Sequence, residues 1–276
     1  MKHAILVIGY GNKAPILQQC IKILDNEKID FYINWDKKYS LPTLKSQRSK
    51  IFFIKNRTNV KWGSYSQIKA EKELIKCIDI NKYRYIHLIS SNDMPLMTSD
   101  YFINYFIKDA YIGFDYPTAE TAKKRLQYYY PNYVDFRKHK ICRIIWTAIN
   151  RVLRVNRLKG KEIEVFKGCN WFSLRSKYIP QLLLPKFNSI FEHTFCGDEE
   201  FVQTILNRFY DKEDLRDDCT QAARYIDWKR GRPYIFRVQD VPELAKKVNT
   251  KYAFARKVDN PLIITKVFNC YSNNIK

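Results

Sequence analysis

Apolar and polar positions follow two alternating periods along the first 115 residues. Residues 4–8 are an unbroken apolar run, the pattern of a strand buried on both faces. Residues 14–24 follow at helical spacing, with Ile16, Leu17, Cys20, Ile21 and Leu24 on one side. Residues 31–34 predict a second strand ending at Trp35-Asp36, and residues 51–54 a third. A helix over 64–80 carries Ile68, Leu74, Ile75 and Ile78, and a fourth strand covers 83–89. A helix over 100–107 and a short strand over 111–114 close this half. The alternation predicts an α/β fold, a mostly parallel central sheet with helices on both faces. Ligands of such sheets bind beyond the carboxyl ends of the strands, so Asp36, 61–64 and 90–93 are the loops of interest.

The rest of the chain is less regular. Strands are expected near 171–174 and 234–237, and a helix over 199–209. Residues 138–161 read as a basic amphipathic helix, with Ile141, Ile144, Ile145, Trp146, Ile149, Val152 and Leu153 on its apolar side. Its apolar side suits either the protein core or the interface of an anionic membrane.

Composition narrows the classes. The chain has 276 residues, 46% of them apolar, with only 8 Gly and 10 Pro, which excludes a disordered tail or a fibre. Aromatics make up 15%, a supply of stacking faces for sugars or simply the mark of a biased genome. The formal net charge of +21 calls for an anionic partner: nucleic acid, a membrane face or a phosphorylated substrate. Nine of those cations, and no Asp or Glu, lie between Phe136 and Lys161. The seven Cys are scattered without a C-x-x-C pair, which argues against a disulfide framework or structural zinc and for a reducing compartment. The first apolar run is too short for a signal-peptide core, and no run of 18 apolar residues occurs. A cytoplasmic enzyme that touches the inner face of the cell membrane is expected.

No G-x-G-x-x-G or P-loop follows the first strand, since Gly9-Tyr10-Gly11 supplies only two of the required glycines. Asp198-Glu199-Glu200 heads a helix, with Asp198 expected as its cap; a helix N-terminus also favours an ionised carboxylate, as a proton acceptor must be. Ser90-Ser91-Asn92-Asp93 offers one Asp where a metal-dependent nucleotide-sugar enzyme carries a pair, so no metal is expected. A leaving diphosphate then needs fixed cations, available from Lys229, Arg230, Arg232, Arg237, Arg256 and Lys257. The four His show no metal-ligand spacing and are read as structural. No RNP, KH or zinc-finger pattern appears, so a nucleic-acid partner is not expected and a polyanion binder is only an alternative.

Six blocks in order resemble the core 2/I-branching beta-1,6-N-acetylglucosaminyltransferases, a family that includes peptide O-xylosyltransferases. They are Val60-Lys61-Trp62-Gly63-Ser64-Tyr65-Ser66, the run from His87 to Leu96, Lys167-Gly168-Cys169-Asn170-Trp171-Phe172, Asp198-Glu199-Glu200-Phe201, Arg224-Tyr225-Ile226-Asp227-Trp228 and Phe254-Ala255-Arg256-Lys257. The resemblance implies a GT-A-like single domain over 1–276, a nucleotide-binding half (1–115) preceding an acceptor-binding and catalytic half (116–276). It implies metal-free, inverting transfer from a UDP-sugar, GlcNAc above UDP-xylose, UDP-glucose or UDP-galactose, to a glycan hydroxyl; the basic segment 138–161 adds the expectation of a lipid-linked oligosaccharide acceptor of cell-surface polysaccharide synthesis at the inner leaflet. It places the catalytic base on Glu199 and the diphosphate-binding cation on Lys257, with Arg232 or Arg230 as partner. Gly9, Asp36, Trp62 and Asp93 are expected on the nucleoside side, and Glu120, Arg125, Trp171 and Trp228 on the acceptor side. Secreted-pathway relatives carry an N-terminal anchor and disulfides; this chain shows neither, as a bacterial version would.

Overall fold

A computed structural model describes residues 1–214 and 216–273. The central sheet has six strands in the order β3-β2-β1-β4-β7-β6. Strands β1 (Lys2–Gly9), β2 (Ile29–Trp35), β3 (Lys50–Phe53) and β4 (Tyr83–Ser90) are parallel. Strand β7 (Ser173–Arg175) adds antiparallel to β4, and β6 (Ala110–Tyr111) antiparallel to β7. A smaller sheet joins β5 (Met94–Pro95), β9 (Phe254–Arg256) and β8 (Arg224–Ile226) in that order.

Both faces of the main sheet are covered. Ile5, Val7, Phe31 and Ile33 pack against α1 (Pro15–Ile23) and α3 (Ser99–Tyr105). Ala4, Leu6, Ile86 and Leu88 turn to the other face, toward α2 (Ser66–Lys76) and α7 (Asp198–Ile205). Burying each such Leu, Ile or Phe stabilises the fold by roughly 1.5–3 kcal/mol, so the continuous apolar runs fix which segments lie in the middle. A third cluster under the small sheet is built from Met94, Phe236, Leu244, Ala255 and Ile264, with α9 (Val241–Ala245) and α10 (Pro261–Asn273).

Two sets of buried polar side chains tie the core strands together. His3 Nδ1 lies 3.0 Å from His87 Nε2, and His87 Nδ1 lies 2.8 Å from Ser173 Oγ. Burial pushes the His3 pKa down to about 4 and that of His87 well below its usual value, so both rings are neutral struts between β1, β4 and β7. Arg224 is buried and donates to the carbonyls of Phe172 at 2.8 Å, Ala222 at 2.8 Å and Leu88 at 3.2 Å, which ties the small sheet to β4 and β7.

Expected and observed elements differ mainly at their ends. The strand expected over 111–114 is shortened to β6, and the one near 171–174 begins at Ser173. The strand expected near 234–237 does not form. Phe236 makes a single bridge to Val258, and the chain then turns into 238–240, where Asp240 accepts from the Arg237 amide at 2.7 Å. Helix α7 ends at Ile205 and passes through a tight turn at Asn207–Phe209.

Register places the loops of interest together. Gly9 pairs with Trp35 and Ile8 with Ser90, so the ends of β1, β2 and β4 share one edge. Because β7 runs antiparallel with Ser173 opposite His87, Asn170 and Trp171 reach that same edge. Pairing of Met94 with Ala255 brings Arg256 to Asp93, and beyond the Ile226–Arg256 pair Tyr234 bridges the two strands, its amide donating to the Asp227 carbonyl at 2.9 Å and its carbonyl accepting from the Lys257 amide at 3.2 Å.

Candidate active site

Three carboxylates head α7, and their environments differ sharply. Gly197, not Asp198, is the N-cap, and Asp198 is the first helical residue. Its side chain turns inward instead, where Oδ2 accepts from Gln67 Nε2 at 3.0 Å and Asn170 Nδ2 at 3.3 Å. Burial, and then the charge of Glu199, raise the Asp198 pKa to about 7. Glu200 is also fully buried, and desolvation pushes its pKa well above the ordinary range. Glu199 is different: its side chain is 38% exposed, which leaves it accessible to solvent. Two cations flank it. Arg125, from α4 (Glu120–Gln127), donates to Glu199 Oε2 and lies 3.3 Å from Glu200 Oε1. Lys167 pairs with Asp115 and stands 4.0 Å from Glu199 Oε2.

Across this edge lies a second group of cations. Arg256 stacks its guanidinium over the Trp171 indole at 4.2 Å, and its Nε is 3.6 Å from Asp93 Oδ1. Its Nη1 is buried without a hydrogen-bond partner among the described residues. Lys257 follows directly. Desolvation lowers its pKa, and the charges of Arg256 and Arg137 lower it further. Arg137 in turn sits 4.8 Å above the Trp62 ring. Cations held close together bind a diphosphate readily, because the anion relieves their mutual repulsion, of which Asp93 offsets only a part here.

The remaining expected residues fall at varied depths. A Cβ on Gly9 would come within 2.1 Å of the Trp35 ring, so only glycine allows the Gly9–Lys13 loop to close over the indole, whose Nε1 donates to Gly11 O at 2.9 Å. Asp36 is buried, accepts from the Lys38 amide at 3.0 Å and pairs with its ammonium at 2.9 Å. Asp93 accepts from the amide and hydroxyl of Ser90, both at 2.8 Å, so it clamps the turn after β4. Trp62 and Trp228 are exposed, and Trp228 Nε1 donates to Cys219 Sγ at 3.4 Å. Glu120 is exposed at the start of α4, 3.9 Å from Lys123. Arg230 pairs with Asp227 at 2.5 Å, Glu243 at 2.7 Å and Asp240 at 3.2 Å. Arg232 is exposed and makes no ion pair among the described residues.

Among the described residues, one group could share a cation: the ligand atoms of Cys169, Asp218 and Cys219 lie within 4.8 Å of one another. The Cys219 thiol donates to Asp218 Oδ1 at 3.2 Å. Its hydrogen bond with Cys169 and its burial both raise its pKa.

Compared with known protein families, residues 4–248 match the model of the Core-2/I-Branching enzyme. The chain belongs to the Core-2/I-Branching enzyme family. Its members are glycosyltransferases, and the chain is therefore a transferase acting between a sugar donor and a glycan acceptor. No individual characterised protein matches it. The six-stranded, mostly parallel sheet covered by helices is compatible with a GT-A-like single domain.

Several residues at this candidate site were not singled out from the sequence. Gln67 and Asn170 fix Asp198, Lys167 and Asp115 flank Glu199, and Arg137 joins Arg256, already counted among the candidate cations, beside Lys257. Asn170 and Lys167 stand inside the motif blocks, so the signal was present but not separable from their neighbours. Nothing local marks Gln67 or Arg137.

Proposed function

We propose that this glycosyltransferase is inverting and metal-independent, with a UDP-sugar donor, UDP-GlcNAc first and UDP-xylose, UDP-glucose or UDP-galactose next. The observation that carries the reading is the division of the α7 carboxylates: two buried with raised pKa values, and one, Glu199, partly exposed beside Arg125 and Lys167. In a single displacement, an acceptor hydroxyl oxygen attacks the anomeric carbon while its proton passes to Glu199. The bond from that carbon to the β-phosphate oxygen breaks, and its electron pair leaves with UDP. Lys257, with Arg256 beside it and Arg232 as the second cation, takes the developing charge in place of a metal.

Gly9, Asp36, Trp62 and Asp93 form the nucleoside side on this reading. Trp171, Trp228, Arg125 and Glu120 form the acceptor side, and the acceptor is a glycan hydroxyl, with a lipid-linked oligosaccharide at the inner membrane face as its favoured carrier. Residues 1–115 then serve the donor, and 116–276 the acceptor and the chemistry, with Lys257 returning to the diphosphate. No cofactor is needed.

A thermal-shift panel of UDP, UDP-GlcNAc, UDP-glucose, UDP-galactose and UDP-xylose, each with EDTA and with Mn, tests this. Stabilisation that survives EDTA supports the reading, and the largest shift nominates the donor. Stabilisation that requires Mn overturns the metal-free part, and no shift with any nucleotide overturns the donor class.

A further inference from the structure

Helix α5 (Lys140–Val152) is mounted with its apolar stripe outward. Ile141, Ile144, Ile145, Ile149 and Val152 recur at helical spacing, the pattern that in most proteins faces the core. Here all five are exposed, Ile141 at 72%, Ile145 at 50% and Val152 at 80%. The side turned to the protein is polar and aromatic instead. Buried Asn150 accepts from the Tyr129 amide at 2.8 Å and donates to the Tyr129 and Trp146 carbonyls at 2.9 and 2.6 Å. Thr147 Oγ1 lies 3.1 Å from the Tyr130 hydroxyl, and the Arg143 guanidinium lies 5.4 Å from the Phe195 ring. A helix held by its polar side leaves an aliphatic strip of about 20 Å uncovered.

We infer that this face docks on the surface of an anionic lipid bilayer. Charge decides the occupant. Lys138, Lys140, Arg151, Arg154 and Lys159 are exposed around the strip, and no Asp or Glu occurs from Phe136 to Lys161. Aliphatic side chains that enter about 5–10 Å below the headgroups, rimmed by cations at headgroup level, meet both components of such a surface. A second copy of the chain would bring the same cations against them across a two-fold interface. Nucleic acid would satisfy the cations and leave five branched aliphatic side chains uncovered. The docking face is also fixed to the wall of the site, because Phe195, under Arg143, lies 6.0 Å from the Arg125 guanidinium. The inference stands apart from the donor and acceptor proposed above.

The test is co-sedimentation of the full chain with vesicles of phosphatidylglycerol and phosphatidylcholine, and with phosphatidylcholine alone, at low and moderate salt. Binding to the anionic vesicles that weakens with salt is expected. Replacing exposed side chains (Ile144→Glu with Ile145→Glu, and separately Ile141→Asn with Val152→Asn) should lower it by about tenfold or more, with an unchanged melting midpoint. Lys140→Glu with Arg151→Glu should remove the preference for anionic lipid. No binding at low salt overturns the proposal, as does equal binding by wild type and both aliphatic variants. Self-association that the same variants abolish, without vesicle binding, assigns the face to a second copy instead.

Discussion

A single nitrogen of Arg125, Nη1, donates to Glu199 Oε2 and lies 3.3 Å from Glu200 Oε1. One guanidinium therefore serves two carboxylates of opposite character, Glu200 fully buried and Glu199 open to solvent. Arg125 partly offsets the cost of burying Glu200 and at the same time aims Glu199. Replacement by Met removes both functions. Arg125→Met should lower stability by about 1–3 kcal/mol and also depress turnover. Arg125→Lys keeps a charge without the planar fork and should recover stability more than activity. Paired urea melts and transfer assays read the two effects apart; full activity in Arg125→Met would show that Glu199 needs no positioning from this side.

Glu199→Gln retains the shape of the side chain and the contact with Arg125 while removing the proton acceptor. Turnover should fall by roughly 10²–10⁴-fold. Donor binding, read as the UDP-induced shift in melting midpoint, should stay close to wild type. A variant that turns over like wild type would remove Glu199 from the role of base.

Much of the fold was legible because its central strands announce themselves. The apolar run at 4–8 cannot be accommodated except between two covered faces, and β1 lies between β2 and β4 as that requires. Elements that depend on distant partners were less legible. Residues 234–237 have strand-like composition, yet Phe236 makes only one bridge, because Asp240 accepts from the Arg237 amide and turns the chain. Asp198 read as a cap for the same reason: its partners Gln67 and Asn170 come from elsewhere in the chain, and only the assembled sheet edge brings them within 3.0 and 3.3 Å. The stripe at 141–152 shows the limit most plainly. Its period states that one side is apolar, but not which side the rest of the protein will hold.

Asp198 gives a pH signature. Its pKa in the folded protein is about 7, raised first by burial and then by Glu199, against roughly 3.9 in an unfolded chain. Between those values the folded state binds more protons than the unfolded state, so this group makes stability fall as pH rises from about 4 to 7. Asp198→Asn cannot titrate and still accepts from Gln67 and Asn170. Relative to that variant, wild type should lose on the order of a few kcal/mol across the window, as seen in melts at successive pH values. A constant difference between the two proteins would mean that Asp198 is ionised throughout.

Lys257 is the cation on which the metal-free reading depends most. Burial and the neighbouring charges of Arg256 and Arg137 disfavour its ammonium, and a diphosphate beside it would offset that penalty. Lys257→Met should weaken UDP binding by about tenfold or more. Titration of wild type and variant with UDP by calorimetry, each with EDTA and with Mn, checks it: equal affinity in the two proteins, or wild-type binding that EDTA abolishes, would remove Lys257 from that role.

Arg230 and Arg232 separate by what already occupies them. Arg230 is enclosed by Asp227, Asp240 and Glu243, and its guanidinium lies 4.4 Å from the Tyr234 ring. A diphosphate would have to displace carboxylates from it, so its role is to hold the 227–243 segment in shape. Arg232, exposed and without an ion pair among the described residues, meets no such competition. Arg232→Ala should therefore weaken UDP-sugar binding with the melting midpoint of the free protein unchanged. Arg230→Ala should lower that midpoint and alter donor binding only as far as the loop loosens. Binding isotherms and melts of the two variants side by side decide the assignment: a selective loss of donor affinity in Arg230→Ala, with its midpoint intact, would reverse it.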